Sequence, residues 1–428
     1  MGQNRRQRRN ARQAPFRAAP IGPEVTQPEI IRLIQHAIRY ALVSPRAATP
    51  RIEQLNVLGA AAAGPQFDPA ALVVDQALSM IRKAWEYGWQ PLDLVHAARR
   101  RTSAKGTVWV ARAVLVESGQ TDALTRAPQE WADQLRELDS RHDRAAGADD
   151  LLLPGGRASV PEWVGALVVL DFLHKLPQLE PLLPPPSEWG QKRSAPRPAP
   201  TGSDLQSRAL RKIRALLAKA ESTDFSAEAD ALTAKAQDLM TRHAIDEALL
   251  ADGSGHGIDV RGVRVLIDHP YALEKARLLD VVAKANRTQA VWHDFSSCMT
   301  IVGVPTDLVQ VEMLFTSILV QATRAMTQEG QNSGGADRST GFRKAFLSAY
   351  ALRIGERLKE SDEEAAASYG SDLVPVFERQ AAAIDEEFKR LFPHITRGTS
   401  RASFDARGWD AGTRAADAAV LPSGVVES

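Results

Sequence analysis

Apolar residues recur at helical spacing through much of the first 180 residues of the chain. The segment that starts at Pro28 has apolar side chains three or four positions apart, which predicts a helix with a buried face of Ile30, Ile34, Ile38 and Ala41. A second stripe predicts a helix capped by Asp68 and stopped by Gly88, and a third helix begins at Pro161 and is apolar around most of its circumference. These patterns predict an all-α domain over residues 23–180 with its own core.

Proline separates this domain from the rest of the chain. Residues 181–203 contain seven prolines, and proline neither continues a helix nor pairs in a central strand. We therefore predict a Pro-rich linker over these residues. Five of the eight tryptophans lie before it and are expected in the helical core: Trp85, Trp89, Trp109, Trp131 and Trp163.

The segment 204–250 has the most regular amphipathic pattern. In a helix, one side carries Leu210, Ile213, Leu216, Leu217 and Ala220. The opposite side carries four basic residues within about a quarter-turn, here called the basic strip: Arg208, Arg211, Lys212 and Lys219. The sequence ESTDFSAE then interrupts the helix, and Ser226 is suited to cap a second one. The apolar face of that second helix consists of Ala229, Leu232, Ala236, Leu239, Met240 and His243, so we predict an αα-hairpin.

After residue 257 the pattern changes from helical to alternating. IDVRGVRVLI has β character, YALEKARLLDVVAKA is helical, TQAVWHD and CMTIVGV form a predicted strand pair around FSS, and TDLVQVEMLFTSILVQATRAM is a long helix. Residues 258–428 are therefore predicted to contain a β-α-β-β-α unit, a polar glycine-rich loop, and helices over about 341–366 and 373–391. A short last helix is expected to pack through Trp409. The predicted fold class is mostly α with a small α+β part.

Composition narrows the classes of protein. The 53 Lys and Arg nearly cancel the 52 Asp and Glu, so the net charge of +1 gives no argument for nucleic-acid or membrane binding by the whole chain. The single cysteine, Cys298, cannot form an intramolecular disulfide, and a cysteine-based zinc site needs several thiols. No stretch reaches the roughly 18 apolar residues of a membrane-spanning helix. We predict a cytoplasmic protein without membrane contact.

The first 22 residues differ from everything that follows. They contain six arginines and no acid, and they lack an apolar face. Because such a segment repels itself and has nothing to bury, residues 1–22 are predicted to be a disordered Arg-rich tail.

The hairpin pattern resembles a bacterial family, the domain of unknown function 2786. The run KIRALLAKAESTDFSAEADALTAKAQDLMTRHAI carries the resemblance at Lys212, Ile213, Leu216, Leu217, Ala220, Glu228, Ala229, Ala236, Leu239, Met240 and His243. The segments TIVGVPTDLVQVEMLF, FRKAFLSAYALRIGERL and GWDAGTRAA resemble the region that often follows this hairpin in the family. The resemblance implies an architecture and a bacterial origin. It implies no reaction, because the family has no assigned activity or catalytic residues.

Signatures of familiar enzymes are missing from the sequence. The segment GQNSGGADRSTG lacks the lysine of a P-loop, and neither a His-Glu-x-x-His pair nor a Gly-x-Ser-x-Gly turn is found. Four residues of the α+β domain could hold a metal if the fold brings them together: His256, His269, His293 and Asp294. His243 and Cys298 are interpreted as core residues, and Glu228 as a carboxylate of a helix start. We assign no catalytic residue, metal or cofactor, and leave open whether the protein is an enzyme.

Basic residues give the leading functional hypothesis. The basic strip, together with Arg343 and Lys344, could bind phosphates and release their counterions. Charges also occur on any solvated helix face, and no aromatic residues interleave with the strip to stack on bases. We hypothesise a non-catalytic nucleic-acid-associated binding module. The alternatives are a hydrolase or nuclease of unfamiliar type in the α+β domain, and a protein-interaction scaffold that binds a protein partner or a second copy of itself.

Overall fold

The computed structural model describes residues 25–142, 147–190, 212–219, 258–332, 339–368, 374–395 and 405–419, together with Leu232, Lys235 and Leu239. Helices predominate, and the described strands form a three-stranded antiparallel sheet, which confirms the predicted fold class. The predicted tail and most of the predicted hairpin lie outside the described residues. Among the helices that the structure describes, none combines the length with the hydropathy needed to cross a lipid bilayer.

The elements follow one another in two groups. The first consists of helices α1 (Gln27–Val43), α2 (Pro45–Ala61), α3 (Pro69–Glu86), α4 (Pro91–Arg101), α5 (Ala104–Gln120), α6 (Ala123–Arg126), α7 (Gln129–Arg141) and α8 (Val160–His174). The second consists of β1 (Arg261–Leu266), α9 (Ala272–Ala285), β2 (Gln289–His293), β3 (Cys298–Gly303), α10 (Pro305–Asn332), α11 (Thr340–Ser368), α12 (Val374–Leu391) and α13 (Ala406–Asp417). Residues 212–219 are also helical. The order β-α-β-β-α and the strand pair around FSS are confirmed.

Contacts divide the chain into two compact units. The first consists of Met1–Ile81, Thr102–Glu117 and His142–Lys175, and the second of Arg82–Arg101, Ser118–Arg141 and Leu176–Ser428. Of the tryptophans grouped above, Trp109 and Trp163 lie in the first unit, and Trp85, Trp89 and Trp131 in the second. Division of the chain at the linker stays a prediction, because residues 191–211 lie outside the described part.

In the first unit, the helices have the buried faces and the cap that the sequence predicted. Ile30 and Ile34 on α1 are buried, as the apolar stripe requires. Asp68 accepts a hydrogen bond from the backbone N–H of Ala70 at 2.9 Å, so it caps α3 as predicted. Trp163, buried on α8, donates its indole N–H to Asn56 Oδ1 at 2.7 Å. Its polar atom is therefore satisfied within the core.

The sheet of the second unit has the order β1-β3-β2, with both pairs antiparallel. Every residue of the central strand β3 is buried. Because side chains alternate along a strand, Met299 and Ile301 face a large apolar cluster with residues of α9, α10, α11 and α13. Val302 faces the other way, into a smaller cluster with Ile384 and Leu391 of α12. The sheet is therefore covered on both faces.

Helix α13 packs closely against α11 through small residues. Trp409 is only half-buried, whereas Gly408 and Gly412 are buried. A Cβ atom on Gly412 would lie 2.2 Å from the carbonyl oxygen of Phe346 on α11, and one on Gly408 would lie 2.4 Å from that of Phe342. The two helix backbones approach too closely for any larger residue at these positions, so the glycines allow this contact.

The first part of the predicted linker is structured. Trp189 packs edge-on against Trp131, with ring centroids 5.3 Å apart. The hydroxyl of Ser187 donates to Glu86 Oε2 at 2.6 Å. Leu182 contributes to the apolar cluster under α12. Proline-rich composition therefore marks irregular backbone here, and that backbone is packed within the second unit.

Candidate nucleic-acid interface

The helical segment 212–219 carries the described half of the basic strip. Ile213 and Leu217 are buried and pack against Met313 of α10 and Leu239. Lys212 and Lys219 are exposed, and their seven-residue separation places them about 20° apart on a helix. Arg208 and Arg211 lie outside the described residues. The segment is therefore amphipathic as predicted, with its apolar side seated on α10.

A groove lies beside this seat. It has a volume of about 340 Å³ and is lined by Arg214, Leu217 and Ala218 from the helical segment and by Val309, Glu312, Met313 and Thr316 from α10. Most of its lining residues are uncharged, and Arg214 and Glu312 bring one charge of each sign. Because these charges oppose each other, the groove does not extend the positive field of the basic strip.

Arg343 and Lys344 lie at the start of α11. Both are half-buried and follow Phe342, which is fully buried. The partial positive charge of a helix N-terminus opposes cations in this position. These two residues consequently raise the positive potential at the start of a 29-residue helix.

A buried ion pair fixes helix α4 to the sheet. Arg264 on β1 and Asp93 on α4 are 2.6 Å apart, and their side chains are 2% and 4% exposed. Arg264 also donates to the carbonyl oxygens of Gly88 and Glu180, at 2.7 and 2.5 Å. A buried charge is tolerated only with such partners. The pair therefore holds α4, the segment before it and β1 in one arrangement.

The turn between β2 and β3 is held by α4 as well. Ser297 adopts a left-handed backbone conformation (φ 52°) and is fully buried. Arg100 donates to its hydroxyl oxygen at 2.6 Å, His269 Nε2 lies 3.2 Å from the same oxygen, and His96 Nε2 lies 3.3 Å from its carbonyl oxygen. Burial lowers the pKa of both His96 and His269. Neutral imidazoles therefore flank the turn at neutral pH.

The last three residues of α4 form an exposed cationic group, here called the arginine triplet: Arg99, Arg100 and Arg101. Arg99 donates to Asp268 Oδ1 at 3.1 Å. The guanidinium of Arg101 stacks over Phe295, 4.4 Å from the ring centroid, and its Nε donates to the Phe295 carbonyl oxygen at 3.3 Å. Arg100 also donates to the Asp294 carbonyl oxygen. Each guanidinium is therefore held in a defined place.

The residues proposed for a metal do not come together in the described part of the chain. His269 faces Ser297, whereas His293 lies 2.8 Å from Thr300 Oγ1 on the next strand. Burial lowers the pKa of His293 to about 4. No group of three His, Cys, Asp or Glu side chains among the described residues could hold a metal ion. His256, His243 and Glu228 lie outside those residues.

Cys298 is a buried side chain, as interpreted from the sequence. Its sulfur lies 3.0 Å from Ser296 Oγ. Burial raises the pKa of the thiol to about 12. Because the thiolate is the reactive form, Cys298 is not activated as a nucleophile.

Sequence reasoning missed the arginine triplet. The run Arg99–Arg101 was visible, but a helix C-terminus commonly carries cations because of its dipole. The residues that hold the triplet, Asp268 and Phe295, lie more than 160 positions further along the chain. Local periodicity carries no signal for such a pairing.

Taken together, the second unit is a helix-rich α+β structure with two separate basic surfaces. Residues 208–247 match a family described as a protein of unknown function (DUF2786), which confirms the resemblance of the hairpin. Neither the curated proteins nor the solved structures gave a match to the chain.

Proposed function

We propose that this protein is a nucleic-acid-associated binding protein that contacts phosphates through the basic strip. The observation that carries the proposal is the seating of the helical segment 212–219. Its apolar side is buried against Met313, so the position of the helix is fixed and Lys212 and Lys219 are exposed on its other side. Cations on a fixed helix neutralise phosphates and release their counterions, and this binding does not depend on the nucleotide sequence.

The positive start of α11 supports the same proposal. Arg343 and Lys344 occupy a helix end where the dipole disfavours cations. An anionic partner offsets that cost. The phosphodiesters of a nucleic acid are such partners. Because their charge repeats along the strand, they can pair with cations in several arrangements.

The test is the salt dependence of binding by the full-length chain. Fluorescence anisotropy is measured with labelled single-stranded DNA, duplex DNA and RNA. The strip variant R208Q/R211Q/K212Q/K219Q is compared with a control that also loses two exposed arginines and two exposed lysines, R136Q/R141Q/K284Q/K389Q. We expect the slope of log affinity against log salt for single strands to fall by about 3 in the strip variant alone.

Two results would count against the proposal. Equal slopes in the strip variant and its control would remove the basic strip from the interface. Absence of binding by the wild-type chain at low salt would overturn the proposal, and the strip would then be a solvated helix face.

A hydrolase or nuclease is the second candidate, and one contact favours it. His269 and Ser297 Oγ are 3.2 Å apart, the distance of a base and a nucleophile. Against it, Ser297 is fully buried, so its oxygen is closed to a substrate in this conformation. Cleavage of labelled nucleic acids that is abolished in S297A but retained in S296A would favour this candidate over simple binding.

A further inference from the structure

We propose that the arginine triplet at the end of α4 is a second nucleic-acid site, which binds the phosphates and an unstacked base of a single strand. The identity of the ligand rests on the proposed function. The site itself is distinct from the basic strip, because other residues of other elements build it.

Burial changes abruptly along α4. Residues Asp93 to Ala98 are all buried, whereas Arg99, Arg100 and Arg101 are exposed. The ion pair of Asp93 with Arg264 and the contact of His96 with Ser297 fix the buried part. The helix therefore presents its three guanidinium groups from a rigid support.

Contacts within the fold already order the three guanidinium groups of the triplet. Arg99 is held by Asp268, Arg100 by Ser297, and Arg101 by the ring and carbonyl oxygen of Phe295. Ordering a long side chain normally costs free energy on binding. Here the fold has already ordered these side chains, so a ligand meets donors in a fixed pattern.

The surface around the triplet carries a net positive charge. Lys275 of α9 donates to the carbonyl oxygen of Asp268 at 2.8 Å, which adds a fourth cation. In the described part of the chain, the carboxylates paired with the triplet are those of Asp268 and Asp294. Four cations against two carboxylates leave a positive surface, and His269 adds no charge at neutral pH because burial and the neighbouring Arg100 and Lys275 lower its pKa.

The chemistry of arginine selects the ligand. A guanidinium group matches the geometry of a phosphate, and its flat face stacks on a base. One face of Arg101 lies over Phe295, and we expect a base to stack on the opposite face. Bases offer a face only when they are unstacked, which favours a single strand over a duplex.

The experiment compares R99Q/R101Q with R136Q/R141Q in the full-length chain. The control also loses two exposed arginines of the second unit, each paired with an acid on its own helix. Arg100 is left intact because it supports the turn at Ser297. For single-stranded DNA and RNA we expect R99Q/R101Q to bind about tenfold more weakly than the control at ~0.1 M salt, with a slope reduced by about 1.4.

Two single substitutions separate binding from a loss of stability. Arg101→Lys keeps the charge but loses the flat face, so affinity should fall while the salt slope stays unchanged. Asp294→Asn removes an exposed carboxylate that lies 3.9 Å from Arg100 Nη2, so affinity should rise. A damaged fold would not tighten binding. Unchanged affinity in both variants would count against the site.

The outcomes also separate this site from the basic strip. If R99Q/R101Q binds like its control while the strip variant is weakened, the triplet is overturned and the proposed function stands. If only R99Q/R101Q is weakened, the triplet is supported and the strip is overturned. No binding by the wild-type chain overturns both.

Discussion

The basic strip and the arginine triplet are two cationic surfaces with different origins. Lys212 and Lys219 project from a helical segment that is held by a few apolar contacts around Ile213 and Leu217. The arginine triplet is held by a carboxylate, a hydroxyl, carbonyl oxygens and an aromatic ring, and its helix is fixed by a buried ion pair.

The difference shows how a fold sets the rigidity of a charged surface. Apolar seating fixes the position of the helical segment that carries Lys212 and Lys219. Polar partners fix the side chains themselves. We therefore expect the strip to tolerate many ligand geometries, and the triplet to favour those in which phosphates and a base meet ordered donors.

The largest predicted effect comes from breaking the ion pair that supports the triplet. Arg264→Met leaves Asp93 buried without its partner, which should cost about 3–5 kcal/mol of stability in the second unit. Hydrogen exchange of the β3 amides in a urea series measures this loss, because these amides belong to the second unit.

The double variant D93L/R264M serves as the control for this prediction. Replacing both charges with apolar side chains removes the unpaired carboxylate, so most of the lost stability should return. If the single variant is as stable as the wild type, the pair does not fix α4 to the sheet.

The next effect concerns His293 on β2, whose contribution to stability depends on pH. Burial lowers the pKa of His293 from 6.5 to about 4, so the unfolded chain binds a proton first as the pH falls. The stability that neutral His293 contributes is complete above about pH 6.5 and declines down to about pH 4, by about 3 kcal/mol. Stability is measured by hydrogen exchange of the β3 amides as a function of pH. His293→Gln should reduce its decline at low pH, whereas His394→Gln, at an exposed position, should not.

The smallest effect is expected at the seat of the strip. Leu217→Ala should weaken the attachment of residues 212–219 by about 2 kcal/mol. Their amides should then exchange roughly 30-fold faster, while β3 amides keep their rate, because the seat is a separate small cluster. Leu352→Ala, at a half-exposed position, should change neither rate. If the β3 amides exchanged faster by the same factor, the segment 212–219 would belong to the same cooperative unit as the main core.

Local patterns predicted much of the fold. The cap at Asp68, the stripe of Ile30 and Ile34, and the strand pair around FSS all depend on neighbours within a few residues, and the structure confirms them. The contact of α13 with α11 does not follow from local patterns, because the close approach depends on Gly408 and Gly412 lying opposite backbone carbonyls of another helix.

The basic strip and the arginine triplet also differ in how far the sequence predicts them. The exposure of Lys212 and the burial of Ile213 follow from helical periodicity alone. The triplet depends on residues distant in sequence, such as Asp268 for Arg99, and on the pair of Arg264 with Asp93, 171 positions apart. A lone arginine in a strand gives no sign of its partner.

The most direct test of the account is the salt dependence of single-strand binding by a combined variant, R99Q/R101Q/R208Q/R211Q/K212Q/K219Q, against the wild-type full-length chain. If both surfaces contact phosphates, the wild-type slope should be steep and the combined variant should lose about 4 from it. Equal slopes in the two proteins, or no binding by the wild type at low salt, would contradict the account.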